Sequence, residues 1–178
     1  MRHPLVIHPG SSCPAVARID VAVDRIAARR LVLTYVLTAD LSEIRVPAAA
    51  KPKRKDGLWR RTCFEAFIAG GGESYTEFNF SPSGEWAAYA FSTYRAGMAL
   101  ADVSAPVIDF AAGVDRCELR AELDLTEDGT RRLGLSAVIE DASGGISYWA
   151  LAHPPGRPDF HQAATFVLDL DLPVPEPS

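Results

Sequence analysis

Apolar residues return at every second position in one short stretch after another along this chain, the period of strands with one buried and one wetted face. Between positions 117 and 125 the alternation is strict. Cys117, Leu119, Ala121, Leu123 and Leu125 share one side, and Glu118, Arg120, Glu122 and Asp124 share the other. Glu127-Asp128-Gly129 is turn chemistry, after which Leu133, Leu135, Ala137 and Ile139 resume the pattern. Segments 117–125 and 133–139 are therefore predicted to pair as a hairpin. Further strands are predicted at 19–25, 31–37, 63–69, 75–81, 86–92, 107–110, 147–151 and 166–170, with Pro and Gly in nearly every gap. The 31–37 run is apolar on both faces and follows helix formers, so a helix there stays open. The stretch 93–102, with Tyr94, Met98 and Ala101 near helical spacing, is the best site for one short helix. Many short strands at this spacing predict an all-β domain closed as a sandwich or barrel, because strand edges must be covered.

A chain of 178 residues with 48% hydrophobic content carries enough apolar surface for one core without disulfide staples. It is read as a single domain over 1–172 followed by a Pro-rich tail, 173–178. The net charge of −5 gives no global attraction to nucleic acid or to an anionic membrane surface. Cys13, Cys63 and Cys117 are odd in number and lie far apart, which argues for reduced thiols rather than a disulfide framework or a zinc knuckle. The three-residue apolar run before His8 and Pro9 is far short of a signal-peptide core. No apolar stretch approaches the roughly 20 residues of a membrane-spanning helix. A cytoplasmic protein is expected.

The most informative block reads Leu58-Trp59-Arg60-Arg61-Thr62-Cys63-Phe64-Glu65-Ala66-Phe67, followed by Glu77-Phe78-Asn79-Phe80-Ser81-Pro82-Ser83-Gly84-Glu85-Trp86. In an extended segment Thr76, Phe78 and Phe80 share one face, so Tyr75, Glu77 and Asn79 share the other. By the same parity Cys63, Glu65 and Phe67 lie together. Pairing across the Gly70-Gly71-Gly72 turn would bring Glu65 close to Glu77 and Asn79, with aromatic rings around them.

These blocks, together with Phe91-Ser92-Thr93-Tyr94-Arg95-Ala96-Gly97-Met98 and the 148–161 segment from Tyr148 to His161, resemble bacterial DOMON-like domains, relatives of the family-9 carbohydrate-binding modules. The resemblance covers most of the chain. It implies a two-sheet antiparallel β-sandwich, immunoglobulin-like or jelly-roll, with at most one or two short helices, and relatives that bind sugars or haem. Fold transfers between such relatives far better than ligand does.

Sugar binding needs flat aromatic faces for the C–H side of a pyranose and planar polar groups for its hydroxyls. Trp59, Trp86 and Tyr94 are the aromatic candidates; Glu65, Glu77, Asn79, Arg95 and His161 are the polar ones. Trp86 and Tyr94 can equally be core or corner residues with their polar tips satisfied by backbone. The expected function is a non-catalytic module for a sugar or related polar ligand. A glycoside hydrolase using Glu65 and Glu77 and a protein-interaction scaffold stand as alternatives. No cofactor is expected. Haem would need Met98 with His153 or His161, and a Met beside Ala99 and Leu100 reads first as packing. A metal at His153, Asp159 and His161 competes with a rigid proline loop whose side chains bond backbone instead. Lys51, Lys53, Arg54, Lys55, Arg60 and Arg61 form the strongest basic stretch, a small footprint for nucleic acid in an acidic domain.

Overall fold

Residues 2–125 and 131–170 are described by a computed structural model. Among them the period-two segments become twelve strands and three single-turn 3-10 helices, with no α-helix. The strands are β1 (Arg2–Ile7), β2 (Val16–Ala27), β3 (Arg30–Ala39), β4 (Cys63–Ala69), β5 (Tyr75–Phe80), β6 (Trp86–Phe91), β7 (Ala99–Leu100), β8 (Val107–Ala112), β9 (Arg116–Asp124), β10 (Arg131–Glu140), β11 (Ile146–Ala150) and β12 (Leu168–Leu170). All pairings are antiparallel. Hydrogen bonding runs through one connected sheet in the order β7-β6-β5-β4-β10-β11-β1-β2-β3-β9-β8, and β12 pairs with β10. The junction is β1, whose residues 2–5 pair with β2 while Val6 and Ile7 pair with β11.

The sheet curls because its two halves share one apolar core. Ile19, Leu33, Tyr35 and Leu119 from one half and Phe64, Phe78, Phe80 and Leu135 from the other belong to a single buried cluster. Tyr35 spans it, with its ring 5.0 Å from that of Phe64 and its hydroxyl donating to the Glu65 carbonyl at 2.7 Å. Each such side chain stabilises the closure by roughly 1.5–3 kcal/mol through removal from water. Among the described residues no helix is long and apolar enough to cross a membrane.

The all-β, antiparallel expectation holds, and 31–37 lies in β3, not in a helix. Two expectations fail. The predicted hairpin of 117–125 with 133–139 does not form, since β9 pairs with β3 and β8 whereas β10 pairs with β4, β11 and β12. Both strands turn their alternate residues into the shared core from opposite halves, so alternation was right and adjacency misleading. The 93–102 stretch forms no helix. Thr93 and Ala96 close a tight bridge, Arg95 and Gly97 take left-handed backbone at φ 52 and 63, and 99–100 is β7. A Cβ on Gly97 would lie 2.1 Å from Ser92 Oγ. The 126–130 turn and the Pro-rich tail, 173–178, lie outside the described residues.

The strands nearest the site are buried on both faces. Most positions of β4, β5, β6 and β10 are inaccessible. A second cluster of Cys63, Phe67, Tyr75, Tyr89, Phe91, Phe160 and Phe166 covers their outer side. Gly134 makes this possible: its missing Cβ would meet Phe166 Cδ1 at 2.6 Å, so only glycine lets that ring lie flat on β10.

Candidate functional site

Register decides which side chains meet on the outer face. Glu65 pairs with Asn79 and Ser136, and Phe67 pairs with Glu77 and Gly134. Paired residues on adjacent strands project to the same side, so Glu65, Glu77, Asn79 and Ser136 form one polar island in an otherwise apolar surface. On β6 the same rule sets Ala87 beside Asn79 and Tyr89 beside Glu77, whereas Trp86 pairs with Phe80 on the core side.

A cleft of about 760 Å³ opens over this island. Its floor includes Glu65, Glu77, Tyr89, Phe91 and Val138. One wall comes from the 93–100 turn through Arg95, Met98 and Leu100, another from the 158–161 loop, and a third from Trp59 and Arg60. Trp59 sits in the 3-10 turn Leu58–Arg60, is 49% exposed, and has the Arg60 guanidinium 5.1 Å above its ring. An aromatic face is thus presented to solvent beside a polar floor.

The floor is buried and acidic. Glu65 and Glu77 are only 3% and 6% exposed. Ser136 Oγ donates to Glu65 Oε2 at 3.1 Å, and Asn79 Nδ2 donates to Glu77 Oε1 at 2.7 Å. Burial pushes the Glu65 carboxyl well above the usual range, and the neighbouring Glu77 pushes it further against the Ser136 hydrogen bond. Glu77 is raised by burial too, with Asn79 and Arg95 opposing. Carboxyls so placed hold a proton at pH values where exposed ones are ionised.

A hydrogen-bond chain braces the walls. Tyr75 Oη receives the Arg95 backbone N–H at 3.2 Å and lies 2.9 Å from His161 Nδ1. The other ring nitrogen of His161, Nε2, faces Glu77 Oε2 at 3.8 Å. Burial first, then the Arg95 charge, lower the His161 pKa to about 4 against the pull of Asp159, so the ring is neutral near pH 7. Asp159 accepts from Tyr94 Oη at 2.6 Å, Arg95 Nη2 at 3.0 Å, the His161 amide at 3.0 Å and Gln162 at 3.2 Å. Burial would raise the Asp159 carboxyl, yet these donors together hold it below its ordinary value. The left-handed Arg95, a conformation costly for a residue with a Cβ, is held by this network.

The candidates named from the sequence therefore separate. Trp59, Glu65, Glu77, Arg95 and His161 line the cleft. Asn79 is fully buried beneath it and acts on Glu77 rather than on the open space. Tyr94 stands outside the lining, tied to Asp159. Trp86 is a correction: it is buried in the shared core with the Arg54 guanidinium 4.4 Å over its ring, and its parity keeps it from the cleft. Tyr89, Phe91, Asp56 and Phe160 line the cleft unforeseen. The cross-strand parity that placed Glu77 would have found Tyr89, whose hydroxyl donates to Asp56 at 2.7 Å.

Met98 is 64% exposed at the rim, which corrects its reading as packing. His153 is turned away, its Nε2 2.8 Å from the Val6 carbonyl. No group of three or more His, Cys, Asp or Glu among the described residues is placed to hold a metal ion. Cys13, Cys63 and Cys117 are free and buried. Much of the basic stretch is engaged within the fold: Lys53 and Lys55 pair with Glu85, Arg61 pairs with Glu140, and Arg54 donates to the Ala88 and Ala101 carbonyls.

With this geometry in place, comparison with known proteins yields solved structures of similar fold. A protein of Bacteroides uniformis provisionally described as carbohydrate-binding matches with TM-score 0.70 and 16% identity over 93% of this chain and 83% of that one. A family-9 carbohydrate-binding module of Caldicellulosiruptor kristjanssonii in complex with cellotriose matches with TM-score 0.58 and 8% identity over 88% and 74% of the two chains. A family-9 module from the same organism in complex with glucose matches with TM-score 0.51 and 9% identity over 82% and 72%. No family model and no curated protein matches the chain. The chain is similar in fold to these sugar-binding modules.

Proposed function

We propose that this chain is a non-catalytic module that binds a carbohydrate in the cleft between Trp59 and the Glu65–Glu77 floor. The observation that carries this reading is the union in one cleft of a solvent-facing indole and a row of planar hydrogen-bonding groups, the two surfaces of a pyranose ring in complementary form. The likeness to modules solved with cellotriose and glucose supports it. So does the block resemblance to DOMON-like domains, in which the curled sheet reads as a β-sandwich with β1 passing from one layer to the other. Glu65 and Glu77 are diagonal neighbours on one floor, so a ligand lies over both. A glycosidase instead sets its two carboxyls on either side of the scissile bond, which ranks the hydrolase reading second.

Calorimetric titration with glucose and cellotriose tests the proposal. Saturable binding is expected, weakened roughly fivefold or more in Trp59→Ala, because truncating a central aromatic anchor costs above about 1 kcal/mol. Absence of binding by any sugar in a broad soluble panel would overturn it. Shortened oligosaccharide in the titrated samples, lost in Glu65→Gln, would make the protein a hydrolase.

A further inference from the structure

The floor of the cleft holds two carboxyls and no cation of its own. Glu65 is only 3% exposed, and the sole hydrogen-bond partner of its carboxyl among the described residues is the neutral Ser136 hydroxyl on Oε2, so Oε1 of this cleft-lining residue has no partner. Glu77 meets the neutral amide of Asn79 and, at 3.8 Å, the neutral imidazole of His161. Of the two cations of the walls, Arg95 is bonded to Asp159 and reaches Glu77 only through its charge, and Arg60 lies on the Trp59 ring. Asp56, bonded by Tyr89, adds a further acidic group to the lining. A neutral pyranose would satisfy the hydroxyl-binding capacity of this floor while leaving its carboxyls favoured in the protonated form. An ammonium group on the ligand would supply both the missing donors and the opposite charge that favours the ionised carboxylates.

Resting on the carbohydrate reading, we infer that the cleft selects a sugar bearing a free amine, its ammonium seated between Glu65 and Glu77 and its ring against Trp59. Buried carboxylates without a counter-ion cost several kcal/mol of desolvation that only a close, hydrogen-bonded opposite charge offsets. The unpartnered Glu65 Oε1 is the position from which that offset is made. Acetylation of the amine removes the charge and adds bulk, so an acetylated sugar fails on both counts.

Calorimetric titration near pH 7, where the amine of glucosamine is still largely protonated and the raised carboxyls are nearer their ionised form than in acid, with glucose, glucosamine and N-acetylglucosamine as separate probes decides the matter. Glucosamine is expected to bind roughly ten- to a hundredfold tighter than glucose, the range for a hydrogen bond to a charged group, and N-acetylglucosamine more weakly than either. In Glu65→Gln and Glu77→Gln, which keep shape and remove charge, the glucosamine-to-glucose ratio should fall towards one. Equal affinity for glucose and glucosamine in the unmodified protein overturns the ammonium inference and leaves the carbohydrate reading standing. A preference that persists unchanged in both Gln variants overturns the assignment to these carboxyls. Failure of these sugars and of every other sugar in the broad soluble panel to bind overturns the carbohydrate reading and this inference with it.

Discussion

Two halves of one sheet handle their outer faces in opposite ways. In the β2-β3-β9-β8 half, β9 alternates buried and accessible residues along its length, and its outer charges pair in water: Arg30 with Glu122 and Asp124, Arg120 with Glu122. In the β4-β5-β6-β10 half the outer face is itself buried, under Phe160 and Phe166 at one end and around the cleft at the other. The same residue type, glutamate, is a solvated surface group at Glu122 and a desolvated carboxyl at Glu65. A strand face is ordinary where the chain leaves it wet. It becomes a site where loops cover it and a polar island is left beneath.

The comparison breaks most visibly through the core that both halves share. Phe64→Ala should remove about 3–5 kcal/mol of stability, because Phe64 is fully buried between the halves. Chemical denaturation that showed a small loss, or separate transitions for the two halves, would contradict a single core.

Glu65→Gln is expected to act in the opposite direction. A carboxyl whose pKa is raised on folding contributes stability that is complete below its unfolded value of 4.5 and is lost as pH rises through the folded value. The neutral amide escapes that loss. The variant should therefore be more stable than the parent near pH 7, by roughly 1–3 kcal/mol, with the advantage vanishing in acid, while sugar binding weakens. Melting curves across pH check the sign. Equal stability at all pH values would mean that Glu65 is not strained by its burial.

A smaller effect should mark the His161 wall. Its pKa falls from 6.5 to about 4 on folding, so its neutral form stabilises the protein fully above pH 6.5, and that contribution is lost as pH falls towards about 4. His161→Gln should flatten the decline in melting temperature over that window relative to the parent. The raised carboxyls move stability the other way on acidification, so the difference between the two proteins, rather than either curve, is the measurement.

The smallest effect belongs to the wet face. Glu122→Ala should change stability by no more than about 0.5 kcal/mol and leave sugar affinity unaltered. A larger loss would mean that the outer charges of β9 do more than keep that face solvated.

Chain periodicity by itself determined the all-β class, most strand positions and the parity that sets Glu65, Glu77 and Asn79 on one side of β4 and β5, because side-chain direction in a strand follows from position alone. It did not determine strand partners. The alternation of β9 and β10 is that of a hairpin, yet the two strands lie in different halves of the sheet and share only the core, since both satisfy the same inward demand and pairing is decided by which half each completes. Nor did it separate Trp59 from Trp86, two indoles in one block: the first is lifted into solvent by a 3-10 turn, and the second falls on the core parity of β6. Only tertiary structure brought Arg95, Asp159 and His161 to the rim of the Glu77 floor, from loops more than sixty positions apart in sequence. Local spacing acts over a few residues, whereas a cleft is made where distant segments are forced together by burying their apolar neighbours.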